Sequence, residues 1–457
     1  MLNHKNINMI EGPILSRLLL YSLPIMFSGI LQLLYNAADI IVVGRFCGKE
    51  SMAAVGSTGS LVNLLVNLFM GLAVGANVVV AQYYGAKNKK AISDSSHTAI
   101  VIAVICGVVV GAVGSVLSGT FLRLMDSPKD VLSLSTIYLR IYFLGTPAVM
   151  LMNFGTSILR ASGDTKRPLY IITVSGIINV LLNLLFVILF HMDVTGVALA
   201  TIISQYFSAA VIMLLLIKTD EAYKISFRNL KIHPEMLKKI VSIGLPTGIQ
   251  SSIFSISNVI IQSSINAYGS TILAGSTAAA NIEGFVYTAM NSVCQAALTF
   301  VGQNVGARKP ERIGKIWRDT MFLAIGTGLI LSIIVYIFST PLLSLYNEET
   351  AVIEWGKQRL LYIGMFYFLC GYMDASANTM RGLGKSLAPT IVTVLGVCGI
   401  RIVWVMTVKS LGLANPQVGD SIIWIYVSYA LSWFVTGTVL MLCFLHIRRK
   451  NLICHNL

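Results

Sequence analysis

Charge is what this sequence has least of. Asp, Glu, Lys and Arg make up 11% of its 457 residues, against about 25% in ordinary soluble domains. Hydrophobic residues make up 56%, and mean hydropathy is +0.78. Such a chain cannot clothe a soluble globule, and its charges sit in short segments between long apolar runs. Acids are scarcer than bases, 19 against 33, leaving a net charge of +14. A nucleic-acid binder would gather those bases on one soluble face. Here they alternate with apolar runs, so no nucleic-acid partner is expected. The seven cysteines (47, 106, 294, 370, 398, 443 and 454) are scattered with no CxxC pair, which excludes a disulfide framework or a zinc site. The six histidines (4, 97, 191, 233, 446 and 455) fall at the termini or at the ends of apolar runs and make no metal pair. No GxxxxGK[ST] loop is present, which argues against self-contained ATP use. With no catalytic pair or metal cluster either, an enzyme is not expected and no cofactor is implied. No cleavable signal peptide is expected, because the polar start runs to Arg17 and the next apolar run is too long for one.

What is present is a series of apolar runs, near 18–44, 57–81, 95–121, 134–159, 168–190, 195–217, 240–266, 272–301, 316–340, 354–379, 387–409 and 421–446. About 20 apolar residues in a helix cross the hydrocarbon core. The fold class is therefore an all-α integral membrane protein with twelve transmembrane helices, and its surroundings are the lipid bilayer. The basic residues set the orientation. Lys5 and Arg17 precede the first run; Lys87, Lys89 and Lys90 follow the second; Arg160, Lys166 and Arg167 follow the fourth. The longest connection, 218–239, is basic, and Arg448, Arg449 and Lys450 end the chain. The opposite connections hold only Arg45, Lys49, Arg123, Lys129 and Lys409. The positive-inside rule then predicts a multi-pass protein of the plasma membrane with both termini cytoplasmic.

The two halves repeat. Ser22-Leu23-Pro24 matches Gly244-Leu245-Pro246, AQYYGAKNKKAI (81–92) matches GQNVGARKPERI (302–313), and LRASGDTKRP (159–168) matches MRGLGKSLAP (380–389). An even number of spans per repeat preserves orientation, so the copies are parallel. The expected organisation is two pseudo-symmetric six-helix bundles, 1–217 and 240–457, the second with a cytoplasmic tail, joined by a cytoplasmic linker at 218–239. Two lobes of this kind are the architecture of alternating access.

Ionisable residues inside spans are functional candidates. The first span carries Pro24, which should bend or break the helix, and Asp39, a carboxylate near its outer end. Bend and buried acid together point to a moving part that handles a cation. Pro246 is the hinge candidate at the repeat position. In the second half, Glu283 lies near mid-membrane, Asp374 toward the inner end of the tenth span, and Arg401 inside the eleventh. Glu283 reads either as a cavity-facing charge or as a structural partner of Arg401. Gln250 and Asn281 add polarity and are cavity candidates, interhelical hydrogen bonding being the alternative.

On these residues the chain resembles the multidrug and toxic compound extrusion (MATE) transporters: the MIEGPILSRLLLYSLPIMFS start, the Gly-Ala-Lys/Arg motif after the second and eighth spans, and the Arg-x-x-Gly…Pro motif after the fourth and tenth. The resemblance covers nearly all of the chain and implies secondary active export of organic, often cationic, amphipathic compounds, driven by re-entry of Na⁺ or H⁺. It also implies a cation site at Asp39, Asn179, Asn183 and Thr201, with Asp39 the Na⁺ candidate. The family pattern usually has Asp where Asn183 stands. Counted along their spans, these four positions lie roughly 7 to 17 Å deep in the outer half. Asn179 and Asn183 share a helix face. Carboxylate, amide carbonyl and hydroxyl are hard oxygen ligands suited to Na⁺, and a desolvated carboxylate can equally hold a proton. The chain is expected to act as a monomer. A lipid-linked precursor flippase of the same superfamily is the alternative; it would want a strongly cationic cavity, and only Arg401 is clearly buried by this reading. An ion channel would want a repeated pore loop, which is absent.

Overall fold

The computed structural model describes residues 6–125 and 129–455; His4 and Lys5 lie outside them, as do the side chains of Lys49, Lys129, Lys450, Cys454 and His455. The described residues form helices and turns, with no strand among them. Each expected span coincides with a helix or a broken helix. They are α1 (Ile14–Phe46), α2 (Lys49–Gly85), α3 (Lys89–Leu124), α4 (Lys129–Leu144) with α5 (Thr146–Ala161), α6 (Lys166–Leu184), and α7 (Asp193–Lys218). After the linker come α8 (Pro234–Asn266), α9 (Ser270–Gly306), α10 (Pro310–Ile337), and the short α11 (Ser339–Ser344). The last are α12 (Thr350–Tyr362) with α13 (Tyr367–Gly382), α14 (Leu387–Thr393) with α15 (Ile400–Ser410), and α16 (Ile423–His455).

Ten of these segments are long and apolar enough to cross a membrane, and α4 with α5 makes an eleventh, bent by 44° at Gly145. Helix α9 fills the remaining expected place. It has 37 residues, but its Ala, Gly, Ser, Thr and Asn content keeps it out of the strongly apolar group. Burial runs opposite to that of a soluble protein. Val108, Val116 and Leu124 on α3 are 54%, 74% and 77% exposed, while Ser95, Ser96 and Thr98 on the same helix are fully buried. Lipid solvates the apolar faces, and small polar side chains fill the contacts between helices.

Helices α1 and α8 run through Pro24 and Pro246 without a break. Hydroxyls beside the prolines bond back within their own helices. Ser22 Oγ donates to the Leu19 carbonyl at 3.1 Å, and Thr247 Oγ1 to the Ile243 carbonyl at 3.0 Å.

The chain divides into two compact units: 1–8 with 27–252, and 9–26 with 253–457. Of the three boundaries, those at 26/27 and 252/253 fall within helices α1 and α8, a few residues beyond Pro24 and Pro246. In the first unit α2 packs on α3, α4 and α5, and α7 on α4, α5 and α6. Gly71 and Gly75 of α2 meet Gly244 and Gly248 of α8 backbone to backbone; a Cβ on Gly71 would stand 2.5 Å from the Gly244 carbonyl oxygen. Only glycine permits that approach. In the second unit α9 packs on α10, α12 and α13, and α16 on α13 and α15.

The repeat is visible in backbone geometry. Left-handed φ values recur at Gly48 (89°) and Gly269 (95°), Lys87 (55°) and Arg308 (54°), and Gly163 (99°) and Gly384 (81°). The Lys/Arg pair closes α2 and α9 in the same way. Asn88 N–H donates to the Tyr83 carbonyl at 3.2 Å, and Lys309 N–H to the Asn304 carbonyl at 3.0 Å. Bonds that reach back over a left-handed residue satisfy the helix's last carbonyls. The Gly-Ala-Lys/Arg motif is thus a helix stop used twice.

Candidate functional site

The first unit holds a polar site on α1, α6 and α7. Along α6, Ser175, Asn179 and Asn183 recur every four residues and so share one face. That face meets Asp39 of α1 and Thr201 of α7. Asn183 Nδ2 donates to Asp39 Oδ1 and also faces Asn179 Oδ1 at 3.4 Å. Asn179 Nδ2 lies 3.4 Å from Thr201 Oγ1, which donates to the Val197 carbonyl at 2.9 Å. The Thr201 hydroxyl also lies close to Asp39. The four residues that the resemblance singled out therefore form one hydrogen-bonded cluster. Asn179 is buried, and Asn183 is fully so.

One atom stands out: Asn183 Oδ1 is buried without a hydrogen-bond partner. A buried carbonyl with nothing to accept is costly, and a cation or a donor would relieve it. The donor set — a carboxylate, two amides and a hydroxyl — fits a hard monovalent cation.

The cluster opens onto a cavity of about 210 Å³ in the same unit, lined by Gln32, Tyr35, Asn36, Asp39, Asn153 and Gln205 among others. Gly176 sits beneath the Tyr35 ring, where a Cβ would collide with it, and Tyr35 hydroxyl donates to the Thr173 carbonyl at 3.2 Å. The sequence reading passed over Gln32 and Asn36. Their signal was available, because Gln32, Asn36 and Asp39 are spaced four and three apart and line one stripe of α1.

The second unit treats its ionisable residues differently. Glu283 on α9 is 2% exposed, and both carboxylate oxygens are taken by Arg359 of α12. Nη2 meets Oε2 at 3.0 Å and Nε meets Oε1 at 3.3 Å. Arg359 Nη1 also donates to Ser276 Oγ at 2.9 Å, and Arg359 faces the rings of Tyr426 and Tyr429 at 5.8 and 5.9 Å. The partner of Glu283 is thus Arg359 rather than Arg401. Asp374 on α13 receives Asn291 Nδ2 at 3.5 Å, and Asn291 in turn contacts the Tyr287 hydroxyl (2.9 Å) and Gln295 (2.8 Å). Asn281 is exposed on α9, two residues from Glu283 and so on another side of the helix. Gln250 is buried and belongs to the first unit. Glu283, Asp374 and Asn281 belong to the second unit. Among the described residues no group of three or more His, Cys, Asp or Glu could hold a metal ion.

Comparison with known proteins bears on both units. The MatE family model matches twice, over residues 24–185 and 246–407, which is the internal repeat. The chain is 31% identical over 393 residues to a protein of Bacillus subtilis described as the probable multidrug resistance protein YoeA, with 84% of each chain covered. It is 26% identical to a second Bacillus subtilis protein, the probable multidrug resistance protein YpnP, covering 86% of this chain and 87% of that one. Among solved structures, a multidrug resistance MATE family transporter in an outward-facing conformation superposes with a TM-score of 0.89 at 22% identity, over 98% of both chains.

Proposed function

We propose, since this chain belongs to the MATE family and is a multi-pass membrane transporter of its multidrug efflux type, that it exports amphipathic organic compounds, cations among them, in exchange for Na⁺ or H⁺ at the Asp39 cluster. The observation that carries this reading is the hydrogen bond from Asn183 to Asp39, beside a buried amide oxygen that lacks a donor. A carboxylate inside a membrane helix is retained at a cost, and transport is the usual return.

In the present arrangement Asn183 offers its N–H to Asp39, taking the place of a cation. A half-turn of the amide would turn Oδ1 toward the carboxylate and complete a cluster of oxygens, so ion entry and amide rotation would be one event. Alternating access then follows if occupancy of this cluster biases the bend of α1, for which Pro24 and its counterpart Pro246 are the hinge candidates. Both termini face the cytoplasm on this reading, as the basic connections require. The flippase alternative has less support, because the first unit's cavity is lined by Asp39 and amides and by no cationic side chain.

The test is substrate efflux from proteoliposomes under an imposed Na⁺ gradient or an imposed pH gradient, with wild type and Asp39→Asn. One gradient should drive wild type, and Asp39→Asn should abolish that dependence. Normal coupling in Asp39→Asn would remove this cluster from the mechanism.

A further inference from the structure

The second unit contains a guanidinium with no acid to meet it. Arg401 on α15 is 4% exposed, and its Nε donates to Ser432 Oγ at 2.8 Å. Its Nη2 is buried with no acceptor. None of the ion pairs among the described residues includes Arg401. The acids of this unit's interior are engaged elsewhere, Glu283 by Arg359 and Asp374 by Asn291, with the Cys370 thiol 4.0 Å from Asp374.

Rings hold the guanidinium instead. Its carbon lies 4.1 Å from the Tyr429 ring centre and 5.3 Å from that of Trp433. Trp433 packs on Tyr367 at 5.0 Å and on Tyr429 at 5.8 Å, so a third ring backs the two that face the charge. Tyr367 and Tyr429 are only half-buried, which leaves the wall open along their edges. Arginine stays charged in proteins. Ring faces offset part of the cost of burying it, but an unpaired cation in a membrane interior still calls for an anion.

We infer that this cluster binds the carboxylate of an aromatic organic substrate. Arg401 supplies the charge-assisted hydrogen bonds, which guanidinium geometry suits, and Tyr429, Trp433 and Tyr367 supply the stacking surface. Zwitterionic and anionic aromatic compounds thereby join the cations of the exporter reading. The inference rests on that reading for the direction of transport, but not for binding.

The experiment uses the full chain in phosphatidylcholine nanodiscs, whose headgroups carry no net negative charge. The probe is an aromatic carboxylate, compared with its methyl ester. Binding is followed by tryptophan fluorescence with no gradient imposed, and efflux is measured separately in proteoliposomes. Wild type should bind the carboxylate about tenfold more tightly than the ester, the worth of one hydrogen bond to a charged group. Arg401→Gln should bring that ratio to about one, and Arg401→Lys should restore part of it. A wild-type ratio near one overturns the inference, and so does a ratio that survives in Arg401→Gln. Should Arg401→Gln not fold, the wild-type ratio and the stabilisation of wild type against heat by carboxylate but not ester decide the matter. Selective binding with no efflux under either gradient would refute the exporter reading and leave this site standing.

Discussion

Removing one member of the Glu283–Arg359 pair separates a structural role from a transport role. Both side chains are nearly free of solvent, at 2% and 7% exposed, and they meet through two contacts at 3.0 and 3.3 Å. At about 3 Å and an effective dielectric of about 20, the attraction is roughly 5 kcal/mol, and bringing both charges out of water consumes much of it. Losing one partner is different, because the other is left buried and charged. Glu283→Gln leaves Arg359 with Ser276 and two ring faces, and the expected loss is about 3 to 5 kcal/mol. Replacing both, as Glu283→Gln with Arg359→Met, should recover most of that, because no charge is stranded. The assay is thermal unfolding of the purified protein in detergent for the two single variants and the double variant, with efflux measured beside it. A Glu283→Gln protein that loses less than about 1 kcal/mol and yet cannot transport would refute the structural assignment and return Glu283 to the substrate path.

Two further expectations concern packing within each unit. Gly71→Leu should prevent folding or cost more than about 3 kcal/mol, because the Gly244 and Gly248 backbones occupy the space a side chain needs; normal expression and melting would show that the α2–α8 contact is looser than described. Asn304→Ala should free the start of the chain, since Asn304 donates to the Met9 carbonyl at 3.0 Å while Lys309 and Arg312 hold the Ile10 and Gly12 carbonyls at 3.3 and 3.1 Å. The readout is hydrogen exchange or protease access around 9–12, and protection equal to wild type would refute it.

Much was legible in advance because membrane solvation writes itself into one dimension. A helix that crosses lipid must be apolar along its length, so the spans could be read from composition alone, including α9, whose smaller and more polar residues make it the least obvious. The repeat was legible because the same helix stop needs the same residues, and Lys87 with Arg308, and Gly163 with Gly384, bear the matching left-handed backbone. Asp39 declared itself as a charge out of place, and its amide partners were implied by the family resemblance. What remained hidden was the choice among partners. Glu283 had two arginines in nearby spans, Arg359 and Arg401, and sequence cannot say which helix face turns toward which neighbour. That is set by the packing of α9 against α12 and of α15 against α16, where the guanidinium of Arg359 reaches the acid and that of Arg401 is enclosed by rings. Solvent preference is a property of each segment, and the sequence determines it unaided. The pairing of charges depends on distances of a few ångströms between segments, and only the tertiary structure decides those.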